Sequence, residues 1–198
     1  MNLIFATNNA HKAEEIKAVL PSHFKILTLK EAGIHIDIPE PHDTLQENAR
    51  EKAQTIYQLT HTNCFSEDTG LEVFSLNGEP GVRSARYAGD DKLFANNIDK
   101  LLHNLQNKED RTAQFRTVVC LILNGDEHFF EGTCQGRILA TQRGTEGFGY
   151  DPVFVPEGAD RTFAEMSLRE KNEYSHRSKA VAQLVLFLNN LNKTHKEI

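Results

Sequence analysis

The stretch AQFRTVVCLILNGDEHFFEGTCQ, residues 113–135, decides the fold class. Ala113–Leu123 reads as one strand, Asn124-Gly125 is the dipeptide of a tight hairpin turn, and Glu127–Gln135 supplies the returning strand. A long antiparallel hairpin in mid-chain excludes a purely parallel sheet. Outward from it, helical and extended segments alternate. Leu3–Ala6 is a first strand, and His11–Leu20 is a helix with Ala13, Ile16, Val19 and Leu20 on one face, ended by Pro21. Phe24–Leu29 is a second strand. Gly33–Asp43, with Pro39 and Pro41, is a loop or edge. Thr44-Leu-Gln-Glu47 has the capping-box pattern and opens a helix to Leu59. Cys64–Ser66 and Leu71–Phe74 read as strands flanking a turn at Glu67–Gly70, and Asn77-Gly78 marks another turn.

Beyond these, Lys92–Leu105 is a helix with Ile98, Leu101, Leu102 and Leu105 as its apolar stripe. Thr141–Gly158 is glycine-rich and irregular. A second capping box at Ser167-Leu-Arg-Glu170 precedes a closing amphipathic helix, Ser175–Leu191. The expected class is α/β, with a mixed sheet around a long central hairpin. No repeat or linker interrupts the 198 residues, so a single domain over 1–198 is expected.

Composition narrows the function. The chain is 39% hydrophobic and 25% charged, ordinary for a globular protein with a sizeable core. A net charge of −6 argues against nucleic-acid binding, which rewards clustered Lys and Arg, but leaves small anionic ligands open. Cys64, Cys120 and Cys134 are odd in number and lack C-x-x-C spacing, which fits free thiols in a reducing compartment. No apolar run approaches the ~18 residues of a membrane span, and the apolar start is too short for a signal peptide. A cytoplasmic address without membrane partners is expected.

Four polar clusters need explaining. TNNAHK, residues 7–12, lies where a strand exits into a helix N-terminus, whose free N–H groups and positive dipole end suit phosphate. Thr7, Asn8, Asn9, Ala10, His11 and Lys12 would form a cradle without the glycines of a P-loop. Taken alone, the hexapeptide fits at least as well a plain cap by Asn8 or Asn9 with a solvated Lys12. Glu67-Asp68-Thr69-Gly70 places paired carboxylates at a strand end, where they can bind metal or abstract a proton; an acidic surface turn is the plainer reading. Glu40 and Lys52 are bland by themselves, with a solvated lysine the default at Lys52. Glu146–Pro152 brackets Phe148 with glycines, so it either stacks on a flat ligand or packs as core. Glu170–Ser178 gathers Lys171, His176 and Arg177 around a break between helices. No histidine spacing suggests zinc, and neither H-E-x-x-H nor G-x-S-x-G occurs.

In this order and at these intervals the clusters resemble the inosine triphosphate pyrophosphatase family. The matching residues are Thr7-x-Asn9-x-x-Lys12 with Glu15, Glu40, Asn48-Ala-x-x-Lys52-Ala53, Glu67–Leu71, Pro80-Gly81 leading to Ser84–Tyr87, Phe148–Asp151, Lys171 and Ser175-His-Arg177. Some members of the family carry Asp at the position of Glu67. The resemblance implies two α/β lobes around a deep cleft, a homodimer, and Mg²⁺-dependent hydrolysis of ITP, dITP and XTP to the monophosphate and pyrophosphate. Such an activity cleanses the nucleotide pool. Carried over, Thr7, Asn9, Lys12 and Lys52 would hold the triphosphate, with Thr69 touching it. Asp68 would be the general base and, with Glu40, a magnesium ligand. Phe148 would stack on the base, with Gly149, Tyr150, Asp151, Lys171, His176 and Arg177 shaping its pocket. Donors there would accept the 6-carbonyl of hypoxanthine and reject the amino group of adenine. Two other readings share many of these residues: a pyrophosphatase for other modified nucleotides, and a catalytically silent nucleotide sensor.

Overall fold

Strand β1 (Asn2–Phe5) leads into helix α1 (Ala10–Val19), and alternation continues through β2 (Lys25–Thr28), α2 (Leu45–Thr60) and β3 (Cys64–Val73). The order is completed by β4 (Pro80–Gly81), α3 (Phe94–Asn104), β5 (Thr112–Leu123), β6 (Asp126–Ile138), β7 (Phe154–Pro156), α4 (Leu168–Tyr174) and α5 (His176–Thr194). This computed structural model describes residues 2–89 and 93–194, so the expected helix start at Lys92 lies outside the described residues.

The seven-stranded sheet has the order β2-β1-β3-β5-β6-β7, with β4 added on β3. It is mixed: β1 runs parallel to both β2 and β3, whereas β4 on β3 and β7 on β6 are antiparallel. The central hairpin turns as its sequence requires. Asn124 and Gly125 both have positive φ, 54° and 96°, the geometry of the two-residue turn that matches strand twist.

The chain divides into two units. One comprises the residues up to Asp68, Thr117–Gly132 and everything from Arg177; the other comprises Thr69–Arg116 and Thr133–His176. In the first unit the period of two along each strand sorts side chains onto two helical layers. Leu3 and Phe5 of β1, Phe65 of β3 and Val119, Leu121 and Leu123 of β5 pack with Ala13 and Ile16 of α1 and Ala180, Val181, Leu184 and Leu188 of α5. The alternate residues Ile4, Ala6, Cys64, Cys120 and Ile122 pack with Ala49, Ala53 and Ile56 of α2. The second unit has its own core, in which Leu71 and Val73 meet Ile98, Leu101 and Leu105 of α3 and the aromatic group Phe115, Phe154 and Phe163.

Two expectations are corrected. Glu67–Gly70 is not a turn; β3 runs unbroken from Cys64 to Val73. Gly70 is needed for close approach, because a Cβ there would lie 2.5 Å from the carbonyl oxygen of Gly81 on β4. The irregular stretch Thr141–Gly158 contains strand β7, whose three residues are all buried and pair with Gly136–Ile138. Its strand is too short for periodicity to reveal.

Candidate functional site

The first cluster is built where β1 gives way to α1. Asn9 is the N-cap: its Oδ1 accepts from the Lys12 N–H at 3.1 Å, and its own N–H donates to Thr7 Oγ1 at 3.1 Å. Asn8 Nδ2 donates to the Ile36 carbonyl at 2.9 Å, while Ala10 and His11 lie exposed on the first turn. The plain capping reading is therefore correct for Asn9. It fails for Lys12, whose ammonium sits 2.7 Å from Glu67 Oε1 rather than in solvent.

Alternation along β3 separates the adjacent carboxylates. Cys64, Ser66 and Asp68 face α2, with Cys64 Sγ donating to the Ala53 carbonyl at 3.3 Å and Ser66 Oγ donating to the Ala49 carbonyl. On that face Lys52 of α2 is no solvated lysine. Its buried ammonium lies 2.6 Å from Glu40 Oε1 and 3.1 Å from Asp68 Oδ1, and Asn48 Nδ2 is 3.4 Å from Asp68 Oδ2. Burial works against the Lys52 charge, but Asp68 and Glu40 outweigh it and hold the ammonium pKa above its ordinary value. Burial pushes the Asp68 carboxyl up, aided by Glu40 and opposed by Lys52 and Lys12. A carboxylate so placed is a better proton acceptor than one in water. Two carboxylates and one ammonium leave a net negative charge facing Lys52.

Glu67 and Phe65 face the other way, toward α1 and α5. The Glu67 side chain is wholly buried, with Oε1 on Lys12 and Oε2 3.4 Å from Arg177 Nε. Arg177, the second residue of α5, also donates through Nη1 to Glu15 of α1. Glu15 was a motif residue without a role; its placement beside the apolar Ala13 and Ile16 is the sequence signal for burial, and only an opposite charge makes that tolerable.

In the second unit Lys171 of α4 is the centre. Its ammonium is 2.5 Å from Asp151 Oδ2 and 5.2 Å from the centroids of both Phe148 and Phe163, an ion pair set between two aromatic faces. The same Asp151 oxygen accepts the Phe148 N–H at 2.9 Å. Gly147, at φ 74°, has no room for a Cβ, which would fall 2.1 Å from that oxygen. Gly149 also has positive φ, 62°. Tyr150 directs its hydroxyl to the Ser84 carbonyl at 2.8 Å, and burial raises its pKa. Ser84 Oγ in turn accepts from the Leu71 N–H and donates to the Gly81 carbonyl, which gives the Ser84–Tyr87 segment a bracing role. His176 stacks on Phe115 with ring centroids 4.6 Å apart. Thr69 follows Asp68 on β3 and is half-buried. Phe163 was missed from sequence, since no short motif surrounds it.

The family model for the Ham1 family matches residues 3–187. The chain belongs to the Ham1 family. This Ham1-family chain is 49% identical over 188 residues to a protein of Christiangramia forsetii named dITP/XTP pyrophosphatase, covering 95% of this chain and 99% of that one. A protein of the same name from Porphyromonas gingivalis is 51% identical over 187 residues, covering 94% and 96% of the two chains. Among solved structures, a HAM1 protein from Coxiella burnetii superposes with a TM-score of 0.88 at 35% identity, over 96% of this chain and 99% of that one. The resemblance read from the ordered motifs is thus confirmed at the level of the family.

Proposed function

We propose that this chain is a nucleoside-triphosphate pyrophosphatase that hydrolyses deaminated purine nucleotides (ITP, dITP and XTP) to the monophosphate and pyrophosphate, and so cleanses the nucleotide pool. The observation that carries the reading is the buried Lys52 ammonium shared by Glu40 and Asp68, 2.6 Å and 3.1 Å away. It combines a phosphate-neutralising cation with a carboxylate whose proton affinity burial has raised. The names carried by relatives at about half identity support the substrate class.

In this account Thr7, Asn8, Asn9, Ala10, His11 and Lys12 cradle the triphosphate at the start of α1, and Lys52 and Thr69 contact it further along. A triphosphate repels an incoming nucleophile; fixed ammonium groups and N–H donors offset that repulsion without reorganising during the reaction. Asp68 takes a proton from water as the water oxygen bonds to the α-phosphorus. The bond from that phosphorus to the bridging oxygen breaks, and pyrophosphate leaves with the electron pair.

Mg²⁺ fits the residues present. Glu40 and Asp68 are hard oxygen donors that already share one cation, the Lys52 ammonium, and their charge exceeds its own. Among the described residues no larger group of His, Cys, Asp or Glu gathers as a metal cage, and Mg²⁺ commonly takes its remaining oxygens from water and phosphate. Bound there, the ion would neutralise phosphate charge and polarise the phosphoryl group.

Base recognition is assigned to the remaining residues of the motif set. Phe148 stacks on the base, Lys171 donates to the 6-carbonyl, and Gly149, Tyr150, Asp151 and His176 shape the surroundings. Arg177 adds a donor from the start of α5. Adenine would set its amino group against these donors, leaving them unpaired. Residues 1–198 are assigned to one functional domain. Homodimer formation belongs to the proposal through the family resemblance. A cytoplasmic setting fits the three buried cysteines, none of which forms a disulfide; among the described residues no helix is long and apolar enough to cross a membrane.

The test is hydrolysis of ITP in heavy-oxygen water. Label in the IMP phosphoryl group, with pyrophosphate as the other product, is the expected result; IDP and orthophosphate would overturn the assignment.

A further inference from the structure

Lys12 and Arg177 come from opposite ends of the chain, and one buried carboxylate touches both. Glu67 Oε1 lies 2.7 Å from Lys12 Nζ, and Oε2 lies 3.4 Å from Arg177 Nε. Glu15 holds the same guanidinium from α1. The side chain of Glu67 is 0% exposed, that of Arg177 3% and that of Lys12 16%, so water has little access to take the place of a partner that moves. Two positive side chains, Lys12 and Arg177, thus face two negative ones, Glu67 and Glu15. Glu67 therefore links cations carried by two different elements, Lys12 on α1 and Arg177 on α5.

We propose that Glu67 is a positioning residue that couples recognition of the base to placement of the phosphates, by bridging Arg177 and Lys12. This rests on the reading above, in which Arg177 faces the base and Lys12 the triphosphate. The coupling follows from rigid geometry. One carboxylate has two oxygens fixed to one carbon, so a shift of Oε2 moves Oε1. A base whose carbonyl accepts from Arg177 holds the guanidinium where Glu67 meets it, and Glu67 then holds Lys12 in place. A base that presents a donor displaces Arg177; Glu67 follows, and Lys12 loses its position against the phosphates. Discrimination between bases then appears in kcat as well as in KM. Position 67 also sits beside Asp68 on β3, so the bridge adjoins the proposed general base through one peptide link.

A double-mutant cycle tests this, with kcat and KM measured for ITP and ATP in the wild-type enzyme, Arg177→Lys, Glu67→Gln and the double variant. Interaction factors in such contacting networks commonly reach about tenfold. Arg177→Lys is expected to lower kcat for ITP about tenfold when Glu67 is present, and less than about twofold in the Glu67→Gln background, while KM rises in both. An equal loss of kcat in both backgrounds overturns the coupling and leaves Arg177 a base reader if the ITP/ATP ratio still falls. An unchanged ITP/ATP ratio in every Arg177 variant overturns the base reading, and the coupling with it. If Glu67→Gln fails to fold, the cycle is run with Glu67→Asp, which keeps the charge on a shorter arm. A coupling factor between one and that of the wild type is then expected, and none at all overturns the proposal.

Discussion

Among the described residues, the two buried lysines sit in opposite electrostatic settings. Lys52, in the first unit, has two carboxylates within 3.1 Å, so the charge around it is negative in sum. Lys171, in the second, has one carboxylate at 2.5 Å and two phenylalanine rings at 5.2 Å, a neutral pair in an aromatic frame. Excess negative charge suits a site that exchanges or adds cations and activates water. A neutral pair among rings suits a flat, uncharged ligand read by hydrogen bonds. The same residue type thus carries different chemistry because its partners differ, and each set of partners comes from distant parts of the chain.

Asp68→Asn should have the largest effect on the Lys52 setting. It removes the proposed proton acceptor, and kcat should fall about 10³-fold with the ITP/ATP preference intact. Steady-state pyrophosphate release, with circular dichroism to verify folding, decides it; near-normal turnover would remove Asp68 from the chemistry. Lys171→Met should do the converse. The ITP/ATP ratio of kcat/KM should drop about 100-fold while the better substrate keeps most of its kcat. Unchanged selectivity would show that the neutral pair does not read the base. Phe148→Ala sharpens the picture further: loss of one stacking partner, worth about 1–3 kcal/mol, should raise KM for ITP about tenfold or more with little change in kcat.

These two lysines also mark how far the sequence could be read. The alternation of helices and strands, the hairpin turn at Asn124-Gly125 and the cap at Ser167 are local patterns, and each forms where local chemistry places it. Lys52 looked solvated because its environment is made by Glu40, twelve positions before it, and Asp68, sixteen after it, which no window along α2 contains. Glu67–Gly70 looked like a turn because glycine after acidic residues usually marks one. Here glycine serves the close approach of β4 instead, and continuous pleating sends Glu67 and Asp68 to opposite faces. Lys171 was legible as a donor, but its cage was not, since Phe163 stands in no motif.

The smallest expected effect lies outside both settings, in surface carboxylates. Glu31 is held down to about 2 from an ordinary 4.5 by Lys17 and then Thr28, Glu165 likewise by Arg143 and then Thr162, and Glu170 by Arg161 and then Ser167. A carboxyl depressed on folding stabilises fully above its unfolded value and loses that contribution as pH falls through the folded one. Thermal stability should therefore decline between pH 4.5 and about 2, and the triple variant Glu31→Gln, Glu165→Gln, Glu170→Gln should show a shallower decline. An identical slope in the variant would assign the acid response to the buried groups instead.

The most direct test of the central claim is the rate of pyrophosphate release from ITP, XTP, GTP, ATP and dTTP, each with Mg²⁺ and with a chelator. A Mg²⁺-dependent pyrophosphatase that reads the 6-carbonyl should release pyrophosphate from ITP and XTP at least about 100-fold faster than from ATP. Comparable rates on ATP, or release that persists in chelator, would contradict it.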